Sequence, residues 1–123
     1  MQIYEDQFMV LSNKNNIIKL TWKKETKNLD NDLFKNEALK YIEIFKKSNI
    51  KNIIVDMRNF WFELNQEVID WRNKNIIAVY NEICLKKFAF ISDKPSVKQD
   101  NQKNSFITRD FFTEEEANKW LNN

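Results

Sequence analysis

The chain contains no glycine and no histidine, one proline (Pro95) and one cysteine (Cys84). Each absence removes a class of chemistry. Phosphate-binding P-loops and Gly-x-Gly-x-x-Gly dinucleotide turns need glycine, because backbone must approach phosphate closely there. The strained Gly-x-Ser-x-Gly nucleophile turn is excluded with them. Without histidine there is no histidine-dependent triad, no zincin helix and no phosphohistidine relay. A single cysteine cannot make an intrachain disulfide, a zinc knuckle, an iron–sulfur site or a Cys-x-x-Cys pair. That cysteine usage favours a reducing cytosol. Carboxylate, lysine, tyrosine and magnesium chemistry survive these exclusions. The lack of glycine also shifts left-handed turn positions onto Asn or Asp. Asn13, Asn15, Asn16, Asn49 and Asn104 fall where turns are needed.

Long apolar runs are missing too. None approaches the roughly 18 residues of a membrane span. The start, Met1-Gln2-Ile3-Tyr4-Glu5-Asp6, has no basic segment ahead of an apolar one, so no signal peptide is expected and a cytoplasmic location is. Nor is one sign of charge in excess. The 20 basic and 18 acidic residues leave a net +2, too small to imply a nucleic-acid or membrane-surface partner. What the chain does have is apolar substance: 42% of its 123 residues are hydrophobic and 14% aromatic. That is far from the composition of a disordered chain and enough for one domain, 1–123, with its own core.

The apolar pattern changes period along the chain. Residues 3–11 are β-prone, and 17–22 alternate, with Ile18, Leu20 and Trp22 facing one way. The polar turn Ser12-Asn13-Lys14-Asn15-Asn16 between them makes an antiparallel hairpin. Over 31–47 the period becomes helical, with Phe34, Ala38, Tyr41, Ile42 and Phe45 on one stripe, Asn28 or Asp30 as N-cap, and Lys46-Lys47 at the C-terminal end. Ile53-Ile54-Val55 reads as a strand buried on both faces. Residues 65–84 are helical again, stepping through Val68, Trp71 or Arg72, Ile76, Val79 and Ile83. Phe88-Ala89-Phe90-Ile91 is a second buried strand. A polar stretch from Ser92 to Asn104 follows, then a strand over 106–112. Thr113 and Glu116 form a capping box for a terminal helix anchored by Trp120 and Leu121. The predicted order is β-β-α-β-α-β-β-α: an α/β domain with a mixed, mostly parallel sheet of about five strands and three helices.

Candidate site residues gather where the central strand ends. Val55-Asp56-Met57-Arg58-Asn59-Phe60-Trp61-Phe62 lies past its carboxyl end and before a helix, the edge where open α/β sheets bind ligands. One reading is a pocket anchored by Asp56 or Arg58 and walled by Phe60, Trp61 and Phe62. The other is a structural Asp–Arg pair under a loop whose aromatics close the core. Glu67 and Asp70 share a helical face and suit either a metal or a solvated first turn. The lysine clusters around Trp22 and Phe88 read as solvated surface, and Cys84 as a small buried hydrophobe. No cofactor and no metal site is expected.

Several stretches together resemble the STAS / SpoIIAA-like group, the domain of anti-anti-sigma factors. They resemble most its STAS/SEC14-type set of short bacterial proteins. The matching stretches are Ile53-Ile54-Val55-Asp56-Met57-Arg58-Asn59-Phe60, Gln66 through Trp71, and Lys86-Lys87-Phe88-Ala89-Phe90. The ending Arg109-Asp110-Phe111-Phe112-Thr113-Glu114-Glu115-Glu116-Ala117 with Trp120-Leu121 matches as well. The resemblance spans nearly the whole chain. It implies a STAS-like mixed sheet backed by helices and a non-catalytic regulatory or protein-interaction role. The phosphorylatable serine of anti-anti-sigma factors has no counterpart, because Phe60-Trp61-Phe62-Glu63-Leu64-Asn65 contains no Ser or Thr. The expected binding surface is therefore Asp56, Arg58, Asn59, Phe60 and Trp61 with Gln66 and Trp71. It would serve an unidentified protein partner or, alternatively, a small apolar or anionic ligand. A carboxylate- or metal-dependent enzyme is a remote third reading, and a homodimer through exposed aromatics is possible on composition.

Overall fold

A computed structural model describes residues 1–93 and 105–122. Six strands, β1 (Gln2–Glu5), β2 (Met9–Lys14), β3 (Ile17–Trp22), β4 (Asn52–Asp56), β5 (Lys87–Ile91) and β6 (Ile107–Phe111), form one sheet in sequential order. The first three are antiparallel, and β3 through β6 run parallel. The α/β class and the mixed, mostly parallel sheet are as the pattern predicts. The strand count is not.

The extra strand comes from residues 3–11, which break in two at Asp6. The Asp6 carboxylate accepts the amides of Phe8 (2.8 Å) and Met9 (3.0 Å). An aspartate that satisfies backbone two and three residues on turns the chain out of a strand. The order is thus β-β-β-α-β-α-β-β-α. The next hairpin closes on Asn15 and Asn16, at φ 54° and 65°, the paired left-handed residues that a tight two-residue turn requires. Asn13 instead belongs to β2, opposite Ile18.

A 3-10 turn (Lys24–Asn28) leads into α1 (Asn31–Ser48). Asp30 caps this helix by accepting the Leu33 amide at 2.8 Å, and Asn49, at φ 58°, ends it. The predicted stripe is buried, and Glu37 is buried within it. After β4 comes α2 (Gln66–Arg72), capped by Asn65. It runs without a break through a π-helical stretch (Asn73–Ile77) into α3 (Ala78–Glu82). The buried stripe passes through Val68, Ile76 and Tyr80, with Val79 and Ile83 only partly covered. Residues four apart on an α-helix drift by about 40° per step. The wider π turn takes up that drift, so Val68, Arg72, Ile76 and Tyr80 keep one face. Cys84 is exposed and holds φ 57° at the end of α3. It serves as the left-handed stop of the helix, not as a core residue.

The last helix, α4 (Glu114–Leu121), starts at Thr113, whose hydroxyl accepts the Glu116 amide at 3.2 Å. The helices divide between the two faces of the sheet. α1 and the α2–α3 run cover the face carrying Ile18, Leu20, Ile53, Val55 and Phe88. Ala117 and Leu121 of α4 pack on Ile17, Ile54, Ala89 and Ile91 on the other. Two consecutive parallel crossovers on one face are what right-handed β-α-β connections give in a sheet of sequential order. No helix among the described residues is long and apolar enough to cross a membrane. The expected polar stretch lies, from 94 to 104, outside the described residues, Asn104 with it.

Candidate functional site

Strand register sets out the site. Leu20, Val55, Phe90 and Asp110 stand side by side across β3 to β6, all on the α1/α2 face. Above the carboxyl half of this face the helices stand off, leaving a cavity of about 270 Å³. The row forms its floor, and Trp22, Met57 and Ser92 at the strand ends extend it. Phe34 and Tyr41 of α1 and Arg72 and Tyr80 of the α2–α3 run wall it, with Phe60 and Leu64 from the β4–α2 connection at the mouth. The walls are a connected set of rings. Trp22 lies 5.0 Å from Phe60 and 6.2 Å from both Phe34 and Tyr41, and Tyr80 lies 5.1 Å from Phe88.

One cation stands in this aromatic shell. Arg72 lines the cavity and is half-buried. It joins no ion pair among the described residues. Its neighbours are the hydroxyls of Tyr41 and Tyr80. Burial opposes its charge, but the two phenols outweigh that, and its pKa is raised; an arginine in any case holds its proton. Burial likewise pushes the Tyr80 phenol well above the ordinary tyrosine range. The Tyr80 hydroxyl donates to that of Tyr41 at 3.4 Å.

The residues expected to form a site do not converge. Asp56 is 5% exposed and follows Val55, so its side chain leaves the opposite face of the sheet, in a row with Thr21 and Ile91. There it accepts from the Arg58 amide (3.1 Å), Nε (3.0 Å) and Nη2 (2.7 Å). Burial works to raise the Asp56 pKa, and these bonds reverse it, holding the carboxyl below its usual range. The Asp–Arg pair lies on the α4 face of the sheet, and neither residue lines the cavity. Asn59 braces the loop by accepting the Thr26 hydroxyl at 3.0 Å, and the same hydroxyl accepts the Trp61 amide at 2.9 Å. Trp61 itself is 53% exposed, with Lys24 Nζ 5.9 Å from its ring centroid. Gln66 is on the surface and donates to Asp70 at 2.8 Å. Trp71 is partly covered, with Lys35 Nζ 5.9 Å from its ring. Phe60 alone of this set lines the cavity.

Glu67 pairs with Lys35 at 3.0 Å, while Asp70 takes Gln66. Among the described residues no cluster of three or more metal-ligating side chains forms. The residues that pattern reasoning missed are Arg72, Tyr41 and Tyr80. A signal for the first was present: an arginine standing in phase with Val68 and Ile76 on the apolar stripe. Comparison with protein-family models, curated proteins and solved structures gives no match.

Proposed function

We propose that the protein is a non-catalytic regulatory module of STAS-like fold that works by holding a small ligand between its sheet and the α1/α2 helices. The observation that carries this reading is the aromatic cavity containing Arg72. Packed protein interiors leave few voids larger than a water molecule, whereas this one measures about 270 Å³ and opens at the carboxyl edge of the parallel strands, where α/β sheets bind ligands. Aromatic walls with a few convergent polar and charged groups are the usual make-up of a small-molecule site. A cavity lined mostly by apolar and aromatic side chains supports binding as the function. Cytoplasmic sensing or carriage is the role that follows.

Native mass spectrometry of gently purified protein tests this. A fraction of the chain should carry an added small mass that organic solvent releases. A clean mass from every preparation, together with no thermal stabilisation by any member of a set of small aromatic compounds, would end the reading, since a ligand that binds only the folded state must stabilise it. A protein-binding role has one observation in its favour, the exposed Trp61 ring beside Lys24. Its test is a pull-down with Trp61→Ala, in which loss of a partner supports that surface and an unchanged partner set removes it.

A further inference from the structure

We infer that the ligand class is a small aryl carboxylate, its carboxylate held by the Arg72 guanidinium and its ring among the aromatic walls; the inference rests on the binding role proposed above. Charge comes first. A guanidinium offers five N–H donors in a planar fork. Two phenol oxygens beside it accept at most some of these and supply no negative charge. A half-buried cation with no acid in contact is costly to keep among aromatic walls. A carboxylate arriving in the cavity brings the missing charge and two acceptor oxygens in the geometry that the fork matches. The two hydroxyls share one hydrogen bond, which leaves one of them with a proton to donate to a carboxylate oxygen. Arg72 stands on the helix wall of the cavity, so the charge belongs there and the ring over Leu20 and Val55.

Size comes second. An apolar cavity of about 150 Å³ accepts one benzene, so about 270 Å³ holds about eleven non-hydrogen atoms by the same ratio. Cinnamate is of that size. Nucleotides and long-chain lipids are far larger. The aromatic rings of the wall offer edge and face contacts that favour a flat ring over an alkyl chain.

Cinnamate and its neutral isostere cinnamamide separate the steps of this reasoning. Calorimetry and thermal shift are run with both on the unaltered protein, on Arg72→Gln and on Arg72→Lys. The unaltered protein should bind cinnamate at least about tenfold more tightly than cinnamamide. Arg72→Gln should abolish that preference, and Arg72→Lys should keep part of it, since the charge remains while the fork is lost. Equal binding of acid and amide would overturn the carboxylate assignment and leave the cavity as a neutral-ligand site. A preference that persists in folded Arg72→Gln would overturn the role of Arg72. Binding of neither compound at millimolar concentration would overturn the assignment, and with a clean native mass it would remove the binding role as well. The acid–amide comparison on the unaltered protein decides the matter even where a variant fails to fold.

Discussion

Glu37 is the acid that the α1 stripe should not contain, and replacing it with glutamine gives a sharp test of how this core is built. Its side chain is 3% exposed. Oε2 accepts Lys40 Nζ at 2.9 Å, while Oε1 is buried with no ordinary donor. The group facing it is Asp6, which already accepts from the Tyr4 hydroxyl and the Phe8 and Met9 amides. Two carboxyl groups in contact must share a proton. Burial and then the Asp6 contact push the Glu37 pKa up to about 7. Asp6 moves the other way: burial would raise it, but the bonds from Glu37, the two amides and Tyr4 hold it low. The folded chain therefore keeps a proton on Glu37 that the unfolded chain loses near pH 4.5. Stability from this group is present below about pH 4.5 and falls as the pH rises to about 7.

A shift from 4.5 to about 7 corresponds to about 3 kcal/mol, and screening through the half-exposed Lys40 reduces this to about 1–2 kcal/mol. The chain has no histidine, so little else titrates between pH 5 and 7.5. Urea unfolding across that window should show the unaltered protein losing about 1–2 kcal/mol. Glu37→Gln should stay level, because its amide donates to Asp6 where the shared proton did and its oxygen still accepts Lys40. A flat or rising curve for the unaltered protein, or the same slope in Glu37→Gln, would refute the shared proton.

Phe60→Ala should cost about 2–4 kcal/mol in the same assay, since its ring packs on Trp22 and Phe34, and it should widen the cavity mouth. Trp61→Ala should cost less than about 1 kcal/mol, because the ring is largely exposed and only Lys24 stands over it. Equal costs would mean that the loop packs differently. Cys84→Gly should stabilise by about 0.5–1 kcal/mol, as glycine occupies a left-handed helix stop without a Cβ penalty, and Cys84→Val should destabilise by about as much; thermal melts read both.

Most of the fold was legible because its signals are local. Ile53-Ile54-Val55 is a both-faces-buried strand in the sequence and in the sheet, and Asp30, Thr113 and Asn49 cap the helices that their positions suggest. The strand at 3–11 misled because its break depends on one Asp6 side chain turning back on the backbone, which hydrophobic pattern does not carry. The site was harder for a different reason. Alternation says that Val55 and Asp56 point to opposite faces, but not which face the helices leave open. Asp56 and Arg58, the polar anchor in one of the two readings, stand on the α4 face of the sheet, and the cavity lies on the other. On the second helical run, neighbouring positions differ by about 100°, and the π turn resets the phase, so Trp71 and Arg72 could not be told apart. Glu37 and Arg72 share one property that sequence does show, an ionisable side chain inside an apolar stripe. Their explanations come from other elements in Asp6 and Tyr41, and from two turns further along the same helical run in Tyr80.

Locating the bound ligand tests the central claim most directly. In a two-dimensional NMR titration with cinnamate, the Arg72 Nε–H signal and the methyl groups of Leu20, Val55 and Leu64 should shift together and saturate. Shifts confined to the Trp61 indole and Arg58, with the cavity methyls unmoved, would place binding on the outer loop and contradict a ligand held between sheet and helices.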